Sequence, residues 1–165
     1  MKKAELEKEI LRILGENGRL SIEDIAERTA SKPECVAAAL DKLEKTNTII
    51  GYKAIYDESI LPENKVKAII EVKVRPEREG GFDKIARRLS KFSQVSSLYL
   101  MSGGFDLQLE IKGETLNEVA EFVASKLAPM DGVLSTSTHF LLKKYKESGK
   151  LLEEEVKNER LKVTP

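Results

Sequence analysis

The sequence is short of the residues that most reactions and most metal sites need. It has one cysteine, Cys35, and one histidine, His139. A lone cysteine forms no intrachain disulfide, and one cysteine with one histidine falls short of a structural zinc ligand set. No Ser/His/Asp, Cys/His or paired-carboxylate constellation accompanies His139. The expectation is therefore no enzyme, no metal and no cofactor, with His139 a packing or interface residue. Excess positive charge is also missing: 28 basic residues balance 28 acidic ones, so any phosphate-binding surface has to be local. There is no run of roughly 18 or more apolar residues, and the charged start Met1-Lys2-Lys3-Ala4-Glu5 lacks the apolar stretch of a signal peptide. These absences lead to the expectation of a cytoplasmic protein without membrane contact. What is there is a globular composition, 34% charged and 41% apolar over 165 residues, enough for one large domain or two small ones.

In the first third, Leu6, Ile10, Ile13 and Leu14 share one helical face, and Gly15 with Asn17-Gly18 ends that helix. Ser21-Ile22-Glu23-Asp24 is a capping-box start for a short helix burying Ile22, Ile25 and Ala26. The chain turns at Thr29-Ala30-Ser31, and a third helix carries Val36, Ala39, Leu40 and Leu43, with Pro33 in its first turn. Cys35, at the start of that helix, is expected to be a small buried residue; a thiol activated by the helix N-terminus is the alternative. Two helices joined by a tight turn form a helix-turn-helix, and Ile49 to Tyr56, rich in β-branched and aromatic residues, would be its wing.

The rest reads strand, helix, strand, strand, helix, strand. Ala68, Ile70, Val72 and Val74 alternate with charged residues up to Pro76; Phe82, Ile85, Ala86 and Leu89 form a helix stripe; Val95 to Met101 is a strand. Ser102-Gly103-Gly104 bends the chain into a second alternating run, Phe105, Leu107, Leu109 and Ile111. A helix from Thr115 to Leu127 has a Thr115/Glu118 capping box and a Leu116, Val119, Ala120, Val123, Leu127 stripe, and Val133 to Leu142 is the last strand. The fold expected is α+β: a winged helix-turn-helix over 1–56, a linker over 57–66, a ferredoxin-like βαββαβ domain over 67–146 and a charged tail over 147–165. In the tail, Leu151, Leu152 and Val156 have helical spacing, so it reads as a partly ordered solvated tail, with a frayed helix or an arm clasping another subunit as the alternatives. Both helices of a βαββαβ domain cover one sheet face. The other, carrying Ile69, Leu98, Leu100, Leu134, Phe140 or their alternates, would seek a second copy, which gives a homodimer packed sheet against sheet.

A helix-turn-helix followed by this domain resembles the leucine-responsive regulator/AsnC (Lrp/AsnC) family of transcription regulators, over about residues 3 to 146. The resemblance rests on Leu43-Glu44 with Ile49, Gly51-Tyr52 and Ala54, on Ser102-Gly103-Gly104-Phe105-Asp106, and on the last strand with Thr136 and Thr138. It implies a dimer that assembles further, DNA binding by the first domain, and a small effector, usually an amino acid, held by the second near the bend. The effector positions it implies are Met101, Ser102, Gly103, Gly104, Phe105 and Asp106, with Thr136 and Thr138 as neighbours. Backbone N–H groups there would hold a carboxylate and Asp106 an α-ammonium, the alternative being a plain tight turn capped by Asp106.

The sequence departs from the family in three places. Gly104 stands where the family usually has an acid. Ala30-Ser31-Lys32 replaces a Gly-Leu-Ser turn. Ala37-Ala38-Ala39 occupies the run that usually carries arginines, and alanine neither contacts phosphate nor bonds guanine. Residues 1–62 hold ten basic and twelve acidic side chains. The candidate contacts to double-stranded DNA are Arg28 and Lys32 at the turn, Lys42 and Lys45 on the third helix, and Lys53 in the wing. Two readings stand: a DNA-binding regulator gated by a small effector, and a sensor or assembly protein whose helix-turn-helix has lost DNA affinity.

Overall fold

The computed structural model describes residues 3–56, 65–76 and 81–152, and the chain divides into two units, Met1–Ile55 and Tyr56–Pro165. In the first unit, α1 (Lys3–Glu16), α2 (Ile22–Arg28) and α3 (Pro33–Lys45) enclose one core of Leu6, Ile10, Ile13, Ile25, Ala26, Val36, Ala39 and Leu43. Ile22, expected in that core, is instead 36% exposed, because it is the first residue of α2 and sits outside the contact with α3. Cys35 is likewise exposed on the first turn of α3, so its expected burial is overturned.

The turn between α2 and α3 is built by the backbone. Ala30 N–H donates to Glu27 O at 3.2 Å and Ser31 N–H to Ala26 O at 2.9 Å, the paired bonds of a Schellman ending. That ending needs a left-handed residue, and Ala30 supplies it at φ +48°. Buried Thr29 satisfies its hydroxyl on Ile25 O at 2.8 Å. Asn47, at φ +54°, ends α3 in the same way, with Thr48 N–H donating to Leu43 O at 2.9 Å. The expected wing, Ile49 to Tyr56, pairs with no strand among the described residues. Tyr52 instead donates its hydroxyl to Glu44 Oε1 at 2.9 Å, and its ring lies over Gly18. Burial and the bond to Glu44 push the Tyr52 phenol above its ordinary value.

In the second unit, β1 (Val66–Val74), α4 (Asp83–Leu89), β2 (Val95–Leu100), β3 (Leu107–Gly113), α5 (Leu116–Phe122) and β4 (Val133–Phe140) form a four-stranded antiparallel sheet in the order β2-β3-β1-β4. This is the ferredoxin-like order. Ala68, Ile70, Val72 and Val74 of β1 and Leu107, Leu109 and Ile111 of β3 meet Ile85 and Leu89 of α4 and Val119 and Phe122 of α5. The second helix is not the uniform Thr115–Leu127 element expected: after Phe122 the chain widens into a π-helical turn, Val123–Leu127, closed by Ala128 N–H on Val123 O at 2.8 Å. Five residues separate Phe122 from Leu127, one π-turn, so both reach the core, whereas Leu116 and Ala120 are exposed. Thr115 accepts from Glu118 N–H at 3.1 Å, but the Glu118 carboxylate closes on Glu114 N–H at 2.7 Å, not on Thr115.

Register decides which side chains face outward. Directly opposed residues of an antiparallel pair share a face. Leu98 opposes Leu109, Leu100 opposes Leu107 and Phe140 opposes Ala68, so all three lie on the helix side. Leu134 is the extra residue of a bulge between Val133 and Ser135. The open face keeps Ile69 but otherwise carries Glu71, Lys73, Tyr99, Gln108, Glu110, Lys112, Ser135, Ser137 and His139, a mixed surface and not an apolar one. The tail differs too. Lys146–Glu147 (β5) and Lys150–Leu151 (β6) form a small hairpin through Ser148 and Gly149, both with positive φ, so Leu151 and Leu152 are not helical. Val156 lies outside the described residues, as do 57–64 of the expected linker; β1 starts at Val66, inside the linker range.

Two outcomes follow from this packing. A Cβ on Gly113 would meet Val119 Cγ2 at 2.9 Å, so Gly113→Ala is expected to lower stability by about 1–3 kcal/mol in urea unfolding. The second concerns Asp24, whose carboxylate accepts from the Ser21 hydroxyl at 2.8 Å and Ser21 N–H at 3.2 Å, which holds its pKa below the ordinary value. With the folded pKa the lower of the two, this contribution is complete above the unfolded pKa and is lost as pH falls through the folded one. An NMR titration of Asp24 should therefore run lower than in Ser21→Ala.

Candidate functional site

The bend between β2 and β3 is tied to β1 by Asp106. Its N–H donates to Val72 O at 3.1 Å, and its Oδ2 accepts from Val74 N–H at 2.9 Å. Its carbonyl accepts from Met101 N–H at 2.8 Å, which closes the bend. One carboxylate oxygen of Asp106 thus serves the strand, while Oδ1 has no protein partner among the described residues. Met101, Ser102, Gly103 and Gly104 face solvent, and Phe105 and Asp106 are half-buried. A Cβ on Gly104 would meet nothing within 4 Å, so an acid would fit there, and its absence is a matter of sequence and not of space.

Thr136 and Thr138 are half-buried on β4, opposite Val72 and Ile70. Val72 therefore stands between Asp106 on one edge of β1 and Thr136 on the other. Two strand spacings separate those two residues, roughly 10 Å. Within one chain Thr136 lies toward the end of the sheet that carries the bend and Thr138 opposite mid-strand Ile70, and no hydrogen bond among the described residues joins either threonine to the bend.

Of the residues considered for DNA, Arg28 closes α2 and Lys32 caps α3, both exposed and without a salt bridge among the described residues. Lys42 is paired with Glu7 at 2.7 Å and Lys45 with Asp41 at 2.8 Å. Lys53, in the wing, has an interaction of its own. The outward face of α3 shows Glu34, Cys35, Ala38, Asp41, Lys42 and Lys45, small or charge-balanced throughout. Sequence reading missed the Tyr52–Glu44 bond and Gly113; the tyrosine eight residues from an acid leaves no periodic signal. On the open face, His139 Nε2 is 3.2 Å from Ser137 Oγ and 3.7 Å from Glu71 Oε1, an exposed cluster without an acid–base partner set for catalysis.

Residues 67–151 match the Lrp/AsnC ligand binding domain, and residues 3–50 match a winged helix-turn-helix DNA-binding domain. The chain belongs to the Lrp/AsnC family. It is a DNA-binding transcriptional regulator with a ligand-binding domain, in a family of regulators and not of enzymes. It is 45% identical over 166 residues to the uncharacterised regulator YugG of Bacillus subtilis, covering 100% of both chains. It is 26% identical over 141 residues to the proline dehydrogenase transcriptional activator of Rhizobium radiobacter, covering 85% of this chain and 89% of that one. Among solved structures, a transcriptional regulator of Neisseria meningitidis in complex with L-methionine superposes with a TM-score of 0.63 at 27% identity, covering 86% of this chain and 91% of that one. No described helix is long and apolar enough to cross a membrane.

In this Lrp/AsnC chain the Asp106 contact makes a measurable claim. Asp106→Ala orphans the Val74 amide and is expected to cost about 1–3 kcal/mol of stability in urea unfolding, while Asp106→Asn, which keeps an acceptor oxygen, should cost less.

Proposed function

We propose that this regulator is a homodimer assembling into higher oligomers and that the β2–β3 bend binds an amino acid or related metabolite. The observation that carries the reading is Asp106, fixed to β1 through Oδ2 with Oδ1 left for an ammonium group. Met101, Ser102, Gly103, Gly104 and Phe105 would supply backbone groups for the carboxylate, and Thr136 and Thr138 of the same or a second copy would line the far side. The L-methionine complex of the Neisseria relative supports an amino-acid class. Gly104 removes one acid from the site, so the expected affinity is modest.

Assembly is supported by exposed Tyr99, Leu100, Met101, Leu134, Phe140 and Leu142, the last 95% accessible. The open face suits a two-fold contact for a different reason: Lys73 and Lys112 can meet Glu71 and Glu110 of a second copy around Ile69 and Tyr99. DNA contacts would come from Arg28, Lys32 and Lys53, with Lys42 and Lys45 joining where Glu7 and Asp41 release them. So few free cations per subunit mean weak binding per site and dependence on several subunits, in the cytoplasm where the DNA lies. Small side chains at Cys35 and Ala38 let α3 approach the groove closely and touch thymine methyl groups.

Effector binding at the bend would change how copies contact one another and so the spacing of the DNA half-sites read. Sedimentation and duplex-DNA binding with and without each of the common L-amino acids check this. At least one should shift the assembly state and the DNA affinity together, by about 5–150-fold in affinity for ordinary allosteric coupling. No shift in either quantity across the whole panel would defeat the effector reading.

A further inference from the structure

We propose that the contact between two copies across the open face of the sheet is proton-linked: His139, beside Glu71, takes up a proton as the copies meet, so assembly tightens as pH falls. The inference deepens the assembly proposed above and rests on its open-face contact.

Register lays the open face out in rows. His139, Ile69 and Glu110 stand side by side across β4, β1 and β3, and Ser137, Glu71 and Gln108 form the next row. Strand β2 extends these rows with the hydroxyl side chains Ser97 and Tyr99. The lysines stand outside them: Lys67 and Lys112 oppose each other beyond the His139 row, and Lys73 lies beyond the Glu71 row. The two middle rows therefore hold two carboxylates, and the imidazole is their one basic group. It is already aimed at them, with Nε2 at 3.7 Å from Glu71 Oε1 and 3.2 Å from Ser137 Oγ. Both side chains are open to solvent, 55% for His139 and 37% for Glu71, so in a single copy water screens the pair.

A second copy removes that screen. A two-fold contact uses the same surface on both sides. Centred on the block of Ile69 and Glu71, it lays the middle rows over themselves and gathers Glu71 and Glu110 from each copy. Carboxylates taken out of water repel one another and need cations or protons close by. The lysines approach from the outer rows, where water remains. His139 lies on the strand next to Glu71, and an imidazole is the side chain whose charge ordinarily switches between about pH 5 and 8. As the partner sheet excludes water, attraction between imidazolium and carboxylate strengthens. The protonated form is then favoured in the assembled state. Its contribution is present at the acid side of the imidazole range and is lost as pH rises through it.

The test follows the full chain by sedimentation equilibrium at about pH 6 and about pH 8 and constant ionic strength. Two His139–Glu71 pairs per dimer, each worth about threefold, give association about tenfold tighter at the lower pH. His139 is the chain's one histidine, so His139→Gln is expected to abolish the difference. Glu71→Gln should abolish it as well, and should associate at the higher pH at least as tightly as the parent because one buried carboxylate per copy is gone. Cys35 and the N-terminal amine are unchanged in both variants, so pH dependence that survives them arises elsewhere. Equal association of the parent at both pH values, weaker association at the lower one, or a His139→Gln variant that keeps the parent's pH dependence overturns the proton link and leaves assembly standing. A parent that is monomeric at both pH values removes the assembly reading and the proton link together.

Discussion

Strand β1 is the constraint on which the ligand-binding unit depends. It is paired on both edges, with β3 and with β4, and its buried side chains Ile70 and Val72 are wholly inaccessible. A strand held on two sides transmits its register to both neighbours, because a one-residue slip would send its apolar set to the wrong face. Asp106 continues this pairing past the end of β3, using its main chain and its carboxylate in turn. The bend is thus tied to an interior strand of the sheet, paired on both edges.

In the helix-turn-helix Arg12, Lys42 and Lys45 are answered by nearby acids, while Arg28 and Lys32 have no salt bridge among the described residues. Exposed pairs of this kind contribute little to stability, in the range of about 0–1 kcal/mol. Their consequence is for association: a phosphate must displace an existing partner before Lys42 or Lys45 can contact it. Selective binding would then depend on shape and on the number of subunits engaged more than on attraction by any one of them.

Much of this architecture was legible in the sequence because strong local signals agreed with one another. The capping box at Ser21, the stripe Val36, Ala39, Leu43 and the alternation in β1 and β3 each name their element and their buried face. The misreadings have a common cause, that edges and interruptions are decided by neighbours. Alternation within β2 and β4 leaves open which set of residues faces outward, whereas pairing to β1 and β3 puts Leu98, Leu100 and Phe140 on the helix side. The π-turn at Val123–Leu127 breaks the helical period that made Ala120 look buried. Ile49 to Tyr56 pairs with no strand among the described residues, and Leu151 joins a hairpin and not a helix, because a β-branched run or a leucine pair does not itself name its partner. As for the site, the bend could be located from its glycines. The Val74 contact that occupies half of the Asp106 carboxylate joins residues 32 apart and leaves no trace in the linear pattern.

The two Schellman endings, at Ala30 and at Asn47, have a mechanical consequence. Each fixes its helix end by backbone bonds to carbonyls within the same helix, independent of any surface side chain. The segment from α2 to the end of α3 is then a bracket whose ends are fixed by its own backbone bonds. A bracket of this kind has no soft joint through which a distant ligand could retune the reading helix. Under the proposed effector mechanism, a signal would reach the DNA as the displacement of complete brackets, as in a caliper whose jaws keep their shape while only the gap is adjusted.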